Sequence, residues 1–140
     1  FGSVYGEGSN YENGIFKIMH YAIKNKSILF NGSKNTVRRF INVHDVSILA
    51  AKSILKKYDN KILMITGMYS TKITKVLQKV KNLVGIKQNQ IIISNKKNIG
   101  HYIKQPKKFK FPKMIKFTRK KEINLNVGLN NLYKYILKNF

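Results

Sequence analysis

The residues best equipped for chemistry are few and lie far apart along the 140-residue chain. Arg38 and Arg39 stand side by side in the β-prone stretch from Val37 to Val43. A guanidinium is a planar, permanently charged fork whose donors match the oxygens of a phosphate. The same pair could be a charged strand edge, which discourages edge-to-edge association. Both readings stand for Arg38, and the edge reading is preferred for Arg39. His44 and Asp45 follow closely, but neighbours at a helix start point apart. No acid–base dyad is therefore expected, and Asp45 reads as a helix cap. Asn13-Gly14 taken alone reads as a turn into a helix. The basic run from Lys104 to Lys110 reads as a solvated loop, with a flap over an anionic ligand as the sharper alternative. His20, His44 and His101 lack ligand spacing and cysteine is absent, so thiolate metal sites and disulfides are excluded and zinc is not expected.

Strands and helices must alternate to position these groups. Phe1 to Tyr5 is a short apolar strand closed by Gly6 and Gly8. Asn13-Gly14 opens a helix with Ile15, Phe16, Ile18, Met19, Ala22 and Ile23 inward and Lys17, His20 and Lys24 outward. Ile28 to Phe30 and Val37 to Val43 read as two strands. Asp45 then caps a helix through Val46, Leu49, Ala50, Ile54 and Leu55. Lys61 to Thr66 is a run ended by Gly67, as in a parallel strand buried on both faces. Ser70 caps the clearest helix, whose stripe is Ile73, Val76, Leu77, Val80, Leu83 and Val84. Gln90 to Ile93 is a further strand, and Asn95 to Arg119 is basic and irregular with both prolines. A last helix carries Leu125, Leu129, Leu132, Tyr133, Ile136 and Leu137 on one face. This alternation predicts an α/β fold.

Charge is the loudest feature, +23 from 28 Lys and Arg against five Asp and Glu. Phosphate neutralisation makes such a balance suggestive of nucleic acid, and lysines do interleave with Phe109, Phe111 and Phe117. Yet only Arg38, Arg39 and Arg119 are arginine, the residue nucleic-acid interfaces favour. The excess of Lys, Asn and Ile also matches A/T-rich codons. A compositional origin is the preferred reading, with a small basic nucleic-acid-binding module as the alternative. No apolar run approaches the roughly 20 residues of a membrane span. A soluble protein of the cytoplasm is expected, and nucleic acid and membrane are not expected partners. The opening on Phe1, with an apolar run at once, is expected of a cut amino end.

Three segments in order resemble one family. Phe1-Gly2-Ser3-Val4-Tyr5-Gly6 is similar to the strand and loop that follow the catalytic region of extended short-chain dehydrogenases. Phe30-Asn31-Gly32-Ser33, followed by Val37-Arg38-Arg39-Phe40-Ile41-Asn42-Val43-His44-Asp45-Val46, resembles that family's signature of a glycine loop, arginine, aromatic, isoleucine and x-Val-x-Asp. Met64-Ile65-Thr66-Gly67 with the helix after it resembles a late strand and helix, and Gly128-Leu129 falls where a final helix begins. The resemblance covers nearly the whole chain and points to NAD-dependent epimerases and dehydratases of the UDP-glucose 4-epimerase kind.

That resemblance implies a definite division of labour. Residues 1–140 would be the carboxyl-terminal part of a Rossmann-type α/β enzyme, with its small substrate-binding domain and without the dinucleotide-binding half. The substrate would be a nucleotide-sugar and the cofactor NAD, held mainly by the missing half. The chemistry would be isomerase or lyase chemistry of carbohydrate biosynthesis, and a homodimer is the expectation for the intact protein. Arg38 matches the arginine that grips the diphosphate, and Phe40 the aromatic beside the nucleotide. Asn13 and Gly14 match a helix start whose amides face phosphates. Ser3 stands where many members have a substrate-contacting Asn, and Gly100-His101 lies near a late Gly-Asp pair; both depart from the pattern. Lys97 or Asn98 would have to stand in for a late arginine. The family's Gly-rich turn is missing, and none of the eight tyrosines has Lys four residues later. No catalytic residue is expected in this chain, which by itself should be inactive.

Overall fold

A computed structural model describes residues 1–94 and 113–140. Their strands are β1 (Ser3–Tyr5), β2 (Ile28–Asn31), β3 (Val37–Arg38), β4 (Phe40–Asn42), β5 (Leu63–Ile65), β6 (Thr71–Lys72), β7 (Ile91–Ser94) and β8 (Ile115–Phe117). The helices are α1 (Gly14–Asn25), α2 (Val43–Ser53), α3 (Ile73–Val84) and α4 (Leu125–Asn139). Three strand pairs are parallel, β1 with β4, β2 with β7 and β5 with β8, while β3 and β6 run antiparallel. Parallel pairs need helical crossovers, so the expected α/β alternation is the architecture found.

The β1–β4 pair divides the interior. Side chains alternate across a strand, so the partners Val4 and Ile41 face one way while Ser3, Phe40, Tyr5 and Asn42 face the other. Tyr5 joins the larger core, built from α1, α3, α4 and the inner face of β2–β7, with Phe16, Met19, Ile28, Leu77, Leu129 and Ile136 all buried. Ile41 joins a smaller core with Leu49 of α2 and Ile65 of β5.

The helix stripes read from periodicity are the buried faces of α1 and α3. Asn13 is the cap of α1, its Oδ1 accepting from the amides of Ile15 and Phe16 at 3.0 and 3.1 Å. Such a cap is worth about 1 kcal/mol.

Several expectations need correction. Val37 to Val43 is two strands and not one, because β3 pairs with β6 and β4 with β1, on different partners. The cap of α2 is Asn42, which accepts from the His44 amide at 3.0 Å. Asp45 therefore sits inside the helix it was expected to cap. Ile54 and Leu55 lie past the end of α2 and are exposed, as is Leu137 of α4. Ser70 does not cap α3, since β6 intervenes and Lys72 holds the cap position without a side-chain bond. The Lys61 to Thr66 run is buried only towards its end, at Ile65 and Thr66. Finally β8 arises in a segment read as irregular. It is held by pairing with β5 and not by its own pattern.

Candidate functional site

β1 and β4 carry two of the residues singled out in the sequence, Ser3 and Phe40. Ser3 and Phe40 are register partners, and the Ser3 amide donates to the Arg39 carbonyl at 2.9 Å. Two positions before Phe40, Arg38 sits on β3 opposite Thr71, half-buried, with Nη1 donating to the Val37 carbonyl at 3.0 Å. Asn13 reaches the same strand from the start of α1, its Nδ2 donating to the Val4 carbonyl at 2.8 Å. Ser3 and Phe40 are thus paired and Asn13 is bonded to β1, while Arg38 lies on β3, which pairs with β6 and not with β1. His101 lies outside the described residues, as do Lys97, Asn98 and the Lys104 to Lys110 run.

The start of α1 is less open than a bare helix terminus. Two of its first amides are already taken by Asn13 Oδ1. An anion there would share the helix start with the cap, leaving a forked donor such as Arg38 better suited to carry a diphosphate.

Arg39 has a different task from Arg38. Its Nη1 donates to the Met68 carbonyl at 2.6 Å and to the Gly67 carbonyl at 3.4 Å, tying the strand junction to the turn after β5. Neither a free edge nor a ligand contact describes it. That turn passes close beneath the site: a Cβ on Gly67 would lie 1.9 Å from the Phe40 carbonyl oxygen.

Two acids hold the surroundings, Asp45, read from the sequence as a cap, and Glu122, which the sequence reading did not single out. Asp45 is fully buried and accepts from Arg119 Nη1 at 2.5 Å and from the Ile123 amide at 2.7 Å. Glu122 Oε2 accepts from the Met68 amide at 2.9 Å. Scarcity was the available signal. In a chain with five acids against 28 bases, any acid kept in or beside an apolar element has a partner to find.

Among the described residues, Tyr5 is the titratable group most altered by its surroundings. Burial, opposed by a hydrogen bond from Asn42 and reinforced by Asp45 and Glu122, pushes its phenol up to about 12 from 10.0. A phenol raised on folding stabilises fully below its unfolded pKa, and that stability is lost as pH rises from about 10 to about 12. Tyr5→Phe should abolish this loss, of order 2–3 kcal/mol. Lysines lose charge in the same range, so urea midpoints of both proteins at pH 9 and 11.5 are the check. Parallel pH profiles would contradict the assignment.

Among the described residues no helix is long and apolar enough to cross a membrane. Nor do any three His, Asp or Glu converge in a way that could hold a metal.

The fold matches part of the fold of solved nucleotide-sugar dehydratases and epimerases. Among solved structures, dTDP-glucose 4,6-dehydratase from Bacillus anthracis, in complex with NAD, matches with TM-score 0.78 at 18% identity, over 99% of this chain and 43% of that one. UDP-glucose 4-epimerase from Thermotoga maritima, with UDP-glucose, matches with TM-score 0.75 at 20% identity, over 98% and 44%. An epimerase from Methanothermobacter thermautotrophicus matches with TM-score 0.79 at 12% identity, over 99% and 42%. The chain thus spans less than half the length of these proteins. No protein-family model matches it, and no curated protein does.

Proposed function

We propose that this chain is the carboxyl-terminal, nucleotide-sugar-binding portion of an NAD-dependent epimerase or dehydratase. The observation that carries the reading is an end-to-end structural match to such enzymes, two of which hold NAD or UDP-glucose. Arg38 would take the diphosphate as a charge-assisted fork, Phe40 would flank the nucleotide, and Ser3 would offer a hydroxyl towards the sugar. Asn13 and Gly14 would close the pocket at the start of α1.

The residues present do not fit the cofactor. Gly6 and Gly8 bracket a turn but lack the third glycine of a dinucleotide cradle, and the start of α1 is capped from within. NAD, which supplies the redox chemistry when bound, belongs under this reading to a complementary dinucleotide-binding portion. This chain's part is to bind and orient the substrate, a positioning contribution of the kind that raises effective concentration. The intact enzyme would work in the cytoplasm, in carbohydrate biosynthesis, as a homodimer.

Nothing in the comparisons favours the nucleic-acid alternative. Ligand-observed NMR on the purified chain separates the two, using UDP-glucose, dTDP-glucose and a single-stranded RNA at two salt concentrations. Saturable contact with a nucleotide-sugar supports the proposal. Salt-sensitive RNA binding without any nucleotide-sugar contact would overturn it.

A further inference from the structure

Charged side chains meet the backbone of the turn between β5 and β6. The Met68 amide donates to Glu122 Oε2 at 2.9 Å, while its carbonyl accepts from Arg39 Nη1 at 2.6 Å and from Lys116 Nζ at 3.5 Å. Three charged side chains from three different segments converge on one residue. Past the buried Thr66 and Gly67 the turn adds little to either core, since Met68 is half-buried and Tyr69 and Ser70 are exposed. Hydrophobic packing does not account for fixing the part from Met68 to Ser70.

What the turn leads into is β6, and β6 pairs with β3 over two residues only, Lys72 with Val37 and Thr71 with Arg38. A two-residue ladder is too short to hold its own register. Its position is set from outside, by the pinned turn on one side and by the Ile73 amide donating to the Thr36 carbonyl at 2.8 Å on the other. We infer that Glu122 and Arg39 are positioning residues for Arg38: by clamping the Met68 turn they fix the strand pair that aims the Arg38 guanidinium. The inference deepens the proposed function, since it assumes that Arg38 meets the diphosphate. It adds that an acid 84 residues away in the chain, just before α4, sets the site's geometry.

The test combines a ligand readout with one that needs no ligand. UDP is titrated into the full chain and into Glu122→Ala and Glu122→Gln, and the backbone amide shifts of Arg38 and Thr71 are followed by NMR. Glutamine keeps an oxygen for the Met68 amide and should rescue. Glu122→Ala should weaken UDP about tenfold and Glu122→Gln less than about threefold, as for loss and retention of a supporting contact. The Arg38 and Thr71 amides should move in the alanine variant alone. If Glu122→Ala does not fold, Arg39→Met replaces it, since it removes the Nη1 that donates to both carbonyls; it should weaken UDP and shift the Thr71 amide. Unmoved amides with unchanged affinity would overturn the inference. A wild-type chain that ignores UDP would remove the site reading, while the amide shifts would still decide whether the clamp sets the Arg38 strand.

Discussion

Replacing Asp45 by alanine should cost about 3–5 kcal/mol of folding stability, the range for breaking a buried ion pair. The carboxylate is fully buried in the first turn of α2 and serves two donors at once, the Arg119 guanidinium and the Ile123 amide. Those donors belong to the segment linking β8 to α4, so the loss is not local. Alanine would strand the half-buried Arg119 charge and an amide together, and a domain with about 5–15 kcal/mol in hand tolerates little of that. Asp45→Asn keeps an oxygen for Ile123 but not the charge for Arg119, and should fall between the two. Urea unfolding at neutral pH is the check; an alanine variant within 1 kcal/mol of wild type would show that the contact carries no weight.

Gly67→Ala should be nearly as damaging, at about 3 kcal/mol, the upper range for inserting a methyl group into a packed site. Its Cβ would sit 1.9 Å from the Phe40 carbonyl oxygen, a clash with backbone that no rotamer change relieves. Relief requires β4 or the turn to move, and both bear on Arg38. UDP affinity should therefore fall together with stability. Gly14→Ala is the control: its Cβ would meet nothing within 4 Å, and alanine favours a helix over glycine by up to about 1 kcal/mol. Equal melting temperatures for the two variants would contradict the close approach at Gly67.

These two positions also mark where sequence reasoning stopped. The stripes of α1 and α3 were legible because a helix face is written in local spacing, Ile15 to Ala22 and Ile73 to Val80, and both became core. An ordered set of short motifs singled out Arg38, Phe40 and Ser3; Ser3 and Phe40 are register partners on β1 and β4, while Arg38 lies on β3 opposite β6. The split at Arg39 was not legible, because it depends on which distant strand each half pairs with. Nor could spacing choose Asn42 over Asp45 as the cap of α2. Both are capping types, and what decides is Arg119, 74 residues further on, claiming the Asp45 carboxylate. Ile115 to Phe117 likewise becomes a strand only because β5 lies beside it. The clamp on Met68 combines both difficulties, joining a backbone group to side chains from three segments.

The central claim is that Arg38 faces a nucleotide diphosphate, and one measurement reaches it most directly: UDP titrated calorimetrically into the wild-type chain and into Arg38→Ala, with Lys134→Ala as a charge-matched control. Loss of a charge-assisted fork should weaken UDP about 10- to 100-fold, while the α4 control stays at wild-type affinity. Equal affinity in Arg38→Ala and wild type, or an equal loss in both variants, would mean that the arginine faces something other than a diphosphate.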